Sequence, residues 1–296
     1  MKVTKEYPDF SAGELSPKLL GRFDLSAYYK GARRMENFIP QVVGSSQYRN
    51  GFKYVAKTAS NNPAFLYTFE YSDSLSFTLE FTNQKLRFFQ NGGQIRETAQ
   101  AITGITKANP AVVTYSGADN YTNGDPVYIE GVSGMPDVNG REFVVANVNT
   151  GSNTFELSGV NSTSYGTYAS GGEVSVITEI ATPFLEADLF KLKFAQNGIR
   201  LYIAHPLYNP RILTITSPTS WALTSHSPTG LTLSSGNYPT AVAFYEQRLI
   251  YGGTNNSPQT LYFSKSADAD DFTVGTADDD GIVYTVGGDN NSIQWL

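Results

Sequence analysis

The chain has 296 residues, 40% hydrophobic and 16% charged, with a formal net charge of -6 and no cysteine. That length suits two ordinary domains or one large β domain carrying an inserted module, and the lack of thiols removes disulfides, thiolate metal sites and cysteine nucleophiles. Its 27 glycines, 19 tyrosines and 18 phenylalanines favour turn-rich sheet, and neither a leader-type apolar core near the start nor a run of roughly 18 apolar residues able to span a bilayer is visible.

Residues 1–36 read as an amino-terminal arm. Gly13, Pro17 and Gly21 interrupt regular structure, so this lead stays ordered only by lying against something else. Asp24 then reads as an N-cap, and Leu25, Tyr28, Ala32 and Met35 recur at spacings of three and four, predicting one short amphipathic helix whose other face is basic. Gly31 weakens such a helix by about 1 kcal/mol relative to alanine. Basic residues gather from Lys18 to Lys57, whereas Asp268 to Asp280 is strongly acidic, a complementarity suited to contacts between chains or domains.

From residue 37 to 100 the pattern changes to strands. NFIPQVVGSSQYRNGFKYVAK alternates around turns at Gly44-Ser45 and Asn50-Gly51, the second a strong hairpin signal. AFLYTFEY, LSFTLEF and KLRFFQ follow as an antiparallel meander. Residues 101–178 are rich in Gly, Asn, Thr and Val, with short strands at AVVTY, PVYIEGV, EFVVANVN, TFELSGV and GEVSVI, a small self-contained β-barrel. Its flanks, Thr98-Ala99-Gln100 and Thr178-Glu179-Ile180, read as the two ends of an insertion. Residues 179–296 resume the meander in two runs of three strands each, LFKLKFAQNGIRLYIAHPLYNPRILTIT and TAVAFYEQRLIYGGTNNSPQTLYFSKS. Repeated meanders that bury little alone are the signature of β-propeller blades. About three fit here where closure usually needs at least four, so the expected fold class is mostly β: partial propeller-like blades, an inserted small β-barrel and an arm containing one short helix.

The opening FSAGELSPKLLGRFDLSAYYKGARRMENF followed by GSSQYRNGFKYVA resembles the start of bacteriophage tail proteins, with Gly44-Ser45-Ser46 and Arg49-Asn50-Gly51 standing where Gly-Gly and Arg-Pro-Gly are common. LYIAHPLYNPRIL, YPTAVAFYEQRLIYGGTNNSPQTLYFSKSADADDF and DDDGIVYTVGGDNNSIQWL are similar to the tail nozzle, or tail tubular protein B, family of short-tailed phages. ITGITKANPAVVTY, NGDPVYIEGVSGMPDVNGREFVVANV and NTFELSGV resemble the first catalytic cysteine half-domain of ubiquitin-activating enzymes; that half-domain does not itself supply the nucleophile, so this likeness implies fold alone. Members of the tail family run longer than this chain.

The tail resemblance implies a structural virion protein in the phage tail, assembled in the host cytoplasm. It would form a homo-oligomeric ring, hexameric in the family, below the portal and adaptor, meeting tail fibre or distal tail proteins and, at infection, the host envelope. Phage DNA would be retained by the channel and pass transiently through it. In such a ring the arm clasps a neighbouring subunit, with Leu15, Pro17, Arg22, Tyr28, Arg33 and Arg34 as the expected inter-subunit contacts. The alternative is a tail adhesin whose inserted module binds host glycan or receptor.

Candidate chemistry is sparse, and the expectation is no enzyme, no cofactor and no metal. His205, at a strand exit, and His226, in a Ser/Pro loop, read as structural histidines, and no Ser-His-Asp order with an elbow motif is present. Asp278, Asp279 and Asp280 are the residues to consider for Ca²⁺, yet neither acidic run has the helix-loop pattern with its distal glutamate. Phe77, Phe81, Phe88 and Phe89 form either a sugar-binding stripe or, more simply, core. A lumen of modest or negative charge would pass DNA without the counterion release that drives tight binding.

Overall fold

The computed structural model describes residues 9–118, 121–288 and 291–296. The chain divides into two compact units between Tyr54 and Val55. None of the described helices is long and apolar enough to cross a membrane.

The first unit is built from short pieces. Strand β1 (Gly13–Glu14) pairs in parallel with β2 (Gly31–Ala32), and two 3-10 helices, Pro17–Leu19 and Ser26–Lys30, lie between them. β3 (Phe38–Pro40) and β4 (Ser46–Tyr48) form a hairpin around Gly44-Ser45. The amphipathic helix predicted from Asp24 to Met35 is replaced by the five-residue 3-10 helix at Ser26–Lys30. Asp24 does not cap it, because its carboxylate accepts two hydrogen bonds from Arg22, at 2.7 and 2.6 Å. Gly31 begins a strand, and a Cβ there would stand 2.5 Å from Leu15 Cγ, so glycine permits the close approach that buries Leu15. The second predicted hairpin, at Asn50-Gly51, is absent: residues 49–58 carry no strand. Arg49 instead turns back on Asn37, with its Nε 2.7 Å from Asn37 Oδ1, and its guanidinium lies 4.4 Å from the Phe52 ring centroid.

The second unit is mostly β. β5 (Phe65–Ser72), β6 (Leu75–Thr82) and β7 (Lys85–Gln90) form the meander legible in the sequence, and short β8 (Gly93–Gln94) folds back on β7. The chain then leaves for a six-stranded closed barrel. Its strands are β9 (Gln100–Ile105), β10 (Ala111–Ser116), β11 (Pro126–Ser133), β12 (Arg141–Asn149), β13 (Thr154–Leu157) and β14 (Ser170–Val176), joined around the wall in the order β10-β13-β12-β11-β14-β9. Inward residues such as Val113, Val127, Ile129, Phe155, Leu157 and Val174 fill the interior. β9 supplies a sixth strand beyond the five read from sequence. After the barrel, β15 (Glu179–Ala181) pairs with β7 on the edge opposite β6, so the barrel is inserted between β8 and β15, the fourth and fifth strands of the first sheet in chain order.

Two further four-stranded antiparallel meanders follow. They are β16 (Lys193–Asn197), β17 (Arg200–His205), β18 (Tyr208–Ser217) and β19 (Ser220–Ser225), then β20 (Ala241–Tyr245), β21 (Arg248–Thr254), β22 (Ser257–Phe263) and β23 (Ile282–Thr285). In the middle sheet both faces are covered. Leu201, Ile203, Leu213 and Ile215 pack with Phe77, Leu79 and Phe88 of the first sheet, while Tyr202, Ala204 and Ile212 pack with Val242, Leu249 and Tyr251 of the third. Trp221 closes the first of these cores: it stacks on Phe88 with centroids 4.3 Å apart, meets Phe69 and Phe77 edge-on, and donates its indole N–H to the Pro218 carbonyl at 2.9 Å. Replacing Trp221 with alanine should lower the unfolding free energy by about 3–5 kcal/mol, measured by chemical denaturation of the full chain; a loss below about 1 kcal/mol would mean the ring does not anchor the sheet-to-sheet core.

Candidate functional site

Apolar residues crowd the outside of the first unit. At the tip of the β3–β4 hairpin Val42 is 99% exposed and Val43 86%, and Phe52 is 91% exposed. Ile39, Tyr48 and Tyr54 are exposed as well. The tip is held tightly: Gln41 and Gly44 N–H groups donate to Ser45 and Gln41 carbonyls at 2.8 and 2.9 Å, and Gly44 takes a φ of +95° that favours glycine. Turn tips are ordinarily polar, and a concentration of large apolar side chains on a surface marks a place of contact.

The arm residues expected to touch a neighbour fall into different environments. Leu15 is buried beneath Gly31 within its own unit. Pro17 opens the first 3-10 helix and is exposed. Arg22 is paired with Asp24 and Arg34 with Glu36. Tyr28 is held edge-on between Phe23 and Tyr29, at 4.9 and 5.7 Å. Arg33 is exposed, with no ion pair among the described residues. The positions that sequence reasoning missed are Val42, Val43 and Phe52; an apolar Val-Val dipeptide directly before a turn glycine was the available signal.

In the second unit, strand register aligns Leu66, Glu80, Arg87 and Glu179 in one row across β5, β6, β7 and β15. Arg87, only 3% exposed, donates through Nε to Glu179 at 2.6 Å and through Nη1 to Glu142 of barrel strand β12 at 2.9 Å. Lys85 Nζ reaches Glu179 at 2.6 Å. This cluster is the ionic tie between the barrel and the sheet it interrupts. Glu80, 4% exposed, accepts the Ala59 N–H at 2.9 Å. Burial pushes its carboxyl above the usual range against the pull of the Ala59 N–H and Arg87, and the carboxylates of Glu142 and Glu179 push the same way as burial.

The same sheet face borders a cavity of about 730 Å³ between the strands and residues 55–64. Alternation explains it: Phe77, Leu79 and Phe81 point into the core, while Ser76, Thr78 and Glu80 point out. Phe77, Phe81 and Phe88 are therefore core residues, and Phe89, opposite Thr78 in register, lines the cavity.

Both histidines are wired into the fold. His226 accepts from the Tyr251 hydroxyl at Nδ1 (2.8 Å) and donates from Nε2 to Asp270 (3.1 Å), whose other oxygen takes Arg200. This assignment follows from a carboxylate's inability to donate. His205 accepts the Leu207 N–H at Nδ1, and its Nε2 lies 4.0 Å from Asp188. The Asp278–Asp280 turn wraps a cation through its backbone: Arg248 donates to the carbonyls of Asp278 and Asp280 at 2.6 and 2.5 Å. Asp271 is held down to about 2 by hydrogen bonds from Thr273 and Lys265. Among the described residues no three His, Asp or Glu side chains are grouped to hold a metal ion.

Residues 108–177 match the family of the ubiquitin-activating enzyme E1 FCCH domain, and they cover most of the closed barrel. No curated protein matches the chain. Among solved structures the phage phi92 endosialidase aligns over 83% of this chain and 40% of its own, with 14% identity and a TM-score of 0.28. The chain thus spans well under half of that protein, at a likeness too low to transfer fold or activity.

Burial lowers the pKa of both histidines from the ordinary value of 6.5, against the pull of Asp188 on His205 and of Asp270 on His226. The unfolded chain then binds more protons than the folded one just below 6.5, so stability present above that pH is lost as pH falls. Glu80 acts with the opposite sign, favouring the folded state at lower pH. Urea midpoints should fall from pH 7.5 toward the lower side of 6.5, and the His205→Gln, His226→Gln double variant should flatten that slope; an unchanged slope in the double variant would place the dependence elsewhere.

Proposed function

We propose that this chain is a structural wall subunit of a bacteriophage tail, forming a nozzle-like ring of identical copies that retains DNA and later passes it. The observation that carries this reading is the apolar tip and flank of the first unit, Val42, Val43 and Phe52. Surface of that kind is stable in water once a second copy covers it. The opening sequence motif supports the same reading, since its likeness to tail proteins falls in that very unit.

On this reading the three stacked meanders act as propeller blades, and β23, whose Ile282, Val283 and Tyr284 side chains are exposed, offers a sheet edge to a neighbouring element. On the same reading the exposed Arg33 guanidinium supplies charge for a neighbouring copy, and adaptor and distal tail proteins are the ring's other partners. A net charge of -6 suits a conduit that lets DNA slide. The barrel, tied by Arg87 to its parent sheet, is an appendage of the wall. No bond-making step is assigned to any residue.

Val42→Lys with Val43→Lys in the full chain tests this. Each valine contributes on the order of 1.5–3 kcal/mol when buried, so the pair should weaken self-association more than tenfold, read by mass photometry and negative-stain imaging with far-UV circular dichroism unchanged. A wild-type chain that stays monomeric at all concentrations, or rings that survive the double substitution, would overturn the reading.

A further inference from the structure

The cavity on the outer face of the first sheet differs in composition from the faces that pack on another sheet. Faces that pack on another sheet are lined by Phe, Leu, Ile and Tyr. This face presents Ser76, Thr78 and Glu80 along β6 and the amides of Asn62, Gln90 and Asn91 at its rim, set against an apolar wall of Val55, Ala56, Pro63, Ala64, Leu66 and the Phe89 ring. Its volume of about 730 Å³ falls within the range of small-ligand sites.

Several occupants are disfavoured by that chemistry. A further sheet would bury the hydroxyls of Ser76 and Thr78 and the second oxygen of Glu80 against apolar side chains, each at a cost of roughly 1–3 kcal/mol. A metal ion would want several grouped carboxylates, and among the described residues no such group exists. An anion would need a free cation, and Arg87 is already engaged by Glu142 and Glu179. A neutral ligand with hydroxyls on its edges and an apolar face suits both halves of this lining, since hydroxyls donate and accept while the face lies against Leu66 and Phe89. Glu80 has one oxygen taken by Ala59, and its other is available to such a ligand. Two cations, Lys85 and Arg87, are paired with Glu142 and Glu179, and Glu80 stands beside Arg87 in register without an ion pair of its own, its carboxyl held toward the neutral form chiefly by burial.

We propose that this cavity is a binding site for a neutral saccharide, one ring lying against Phe89 and its hydroxyls meeting Glu80, Thr78 and the rim amides. The site is built wholly from residues of the second unit that lie outside the inserted barrel. It does not depend on the tail-wall reading, because a sugar site on the first sheet can exist in a monomer or in a ring.

The test is saturation-transfer difference NMR on the full chain with glucose, galactose, rhamnose, N-acetylglucosamine and lactose as probes. At least one sugar should receive saturation. Its signal should persist in Glu80→Gln, which keeps a donor, and fall at least tenfold in Phe89→Ala and in Ser76→Trp, which fills the cavity from an exposed position without touching the Glu80–Arg87 row. Circular dichroism melts establish that each variant is folded, and Ser76→Trp decides the matter if Phe89→Ala is not. No saturation with any of the five sugars, or a signal that survives Ser76→Trp, overturns the proposal.

Discussion

The middle sheet of the second unit is covered on both faces, and the rest of that unit is organised around this constraint. β17 carries Leu201 and Ile203 toward one neighbour and Tyr202 and Ala204 toward the other, so no residue from Leu201 to His205 is left to water. Two apolar layers share one backbone. A change in that strand is felt in both cores, whereas the outer sheets each have one face free for other uses. On the first sheet that free face became the Glu80 cavity; on the third, Ile293 lies against Gly252 and Gly253 of β21, where a larger side chain would collide.

Insertion of a barrel into a sheet raises a mechanical problem, since two short linkers alone would let it swing. Arg87 answers it with a nearly dry guanidinium shared between Glu179 on the neighbouring strand and Glu142 on the barrel. Removing a charge from water is expensive, and the arrangement is stable only with every partner present. The further carboxylate beside this cluster is Glu80, whose carboxyl burial pushes up first, the carboxylates of Glu142 and Glu179 adding to burial while the Ala59 N–H and Arg87 oppose it. Structural tie and candidate site are one network.

The first unit follows a different logic. Among its described residues Leu15, under Gly31, is the buried apolar side chain, and the larger apolar residues Val42, Val43, Phe52 and Tyr54 lie on the outside. A segment with so small a core gains stability by being covered. Its local ion pairs, Arg22 with Asp24 and Arg34 with Glu36, neutralise charges that would oppose burial of the adjoining surface.

Strands β5, β6 and β7 could be read directly from the sequence, because alternation of period two and turn residues at Ser72-Asp73-Ser74 and Asn83-Gln84 are local properties of the chain. The same holds for five strands of the barrel and for the mostly β class. Strands β9, β15, β19 and β23 were not legible: β15 and β23 span only three and four residues, and all four are fixed by the partner edge that each one joins. The helix expected after Asp24 failed for a similar reason, since its spacing satisfied a helical period while Arg22 took the cap and Leu15 required a glycine strand at residue 31. The sequence by itself determined which residues alternate, where the chain turns and that no thiol chemistry is available. Only the tertiary structure decided that Phe89 lines a cavity while Phe88 is core, that Glu80, Arg87 and Glu179 share a row with Glu142 beside it, and that Val42 and Val43 stand in water. Burial and charge pairing between distant segments are set by three-dimensional proximity, which no local pattern encodes.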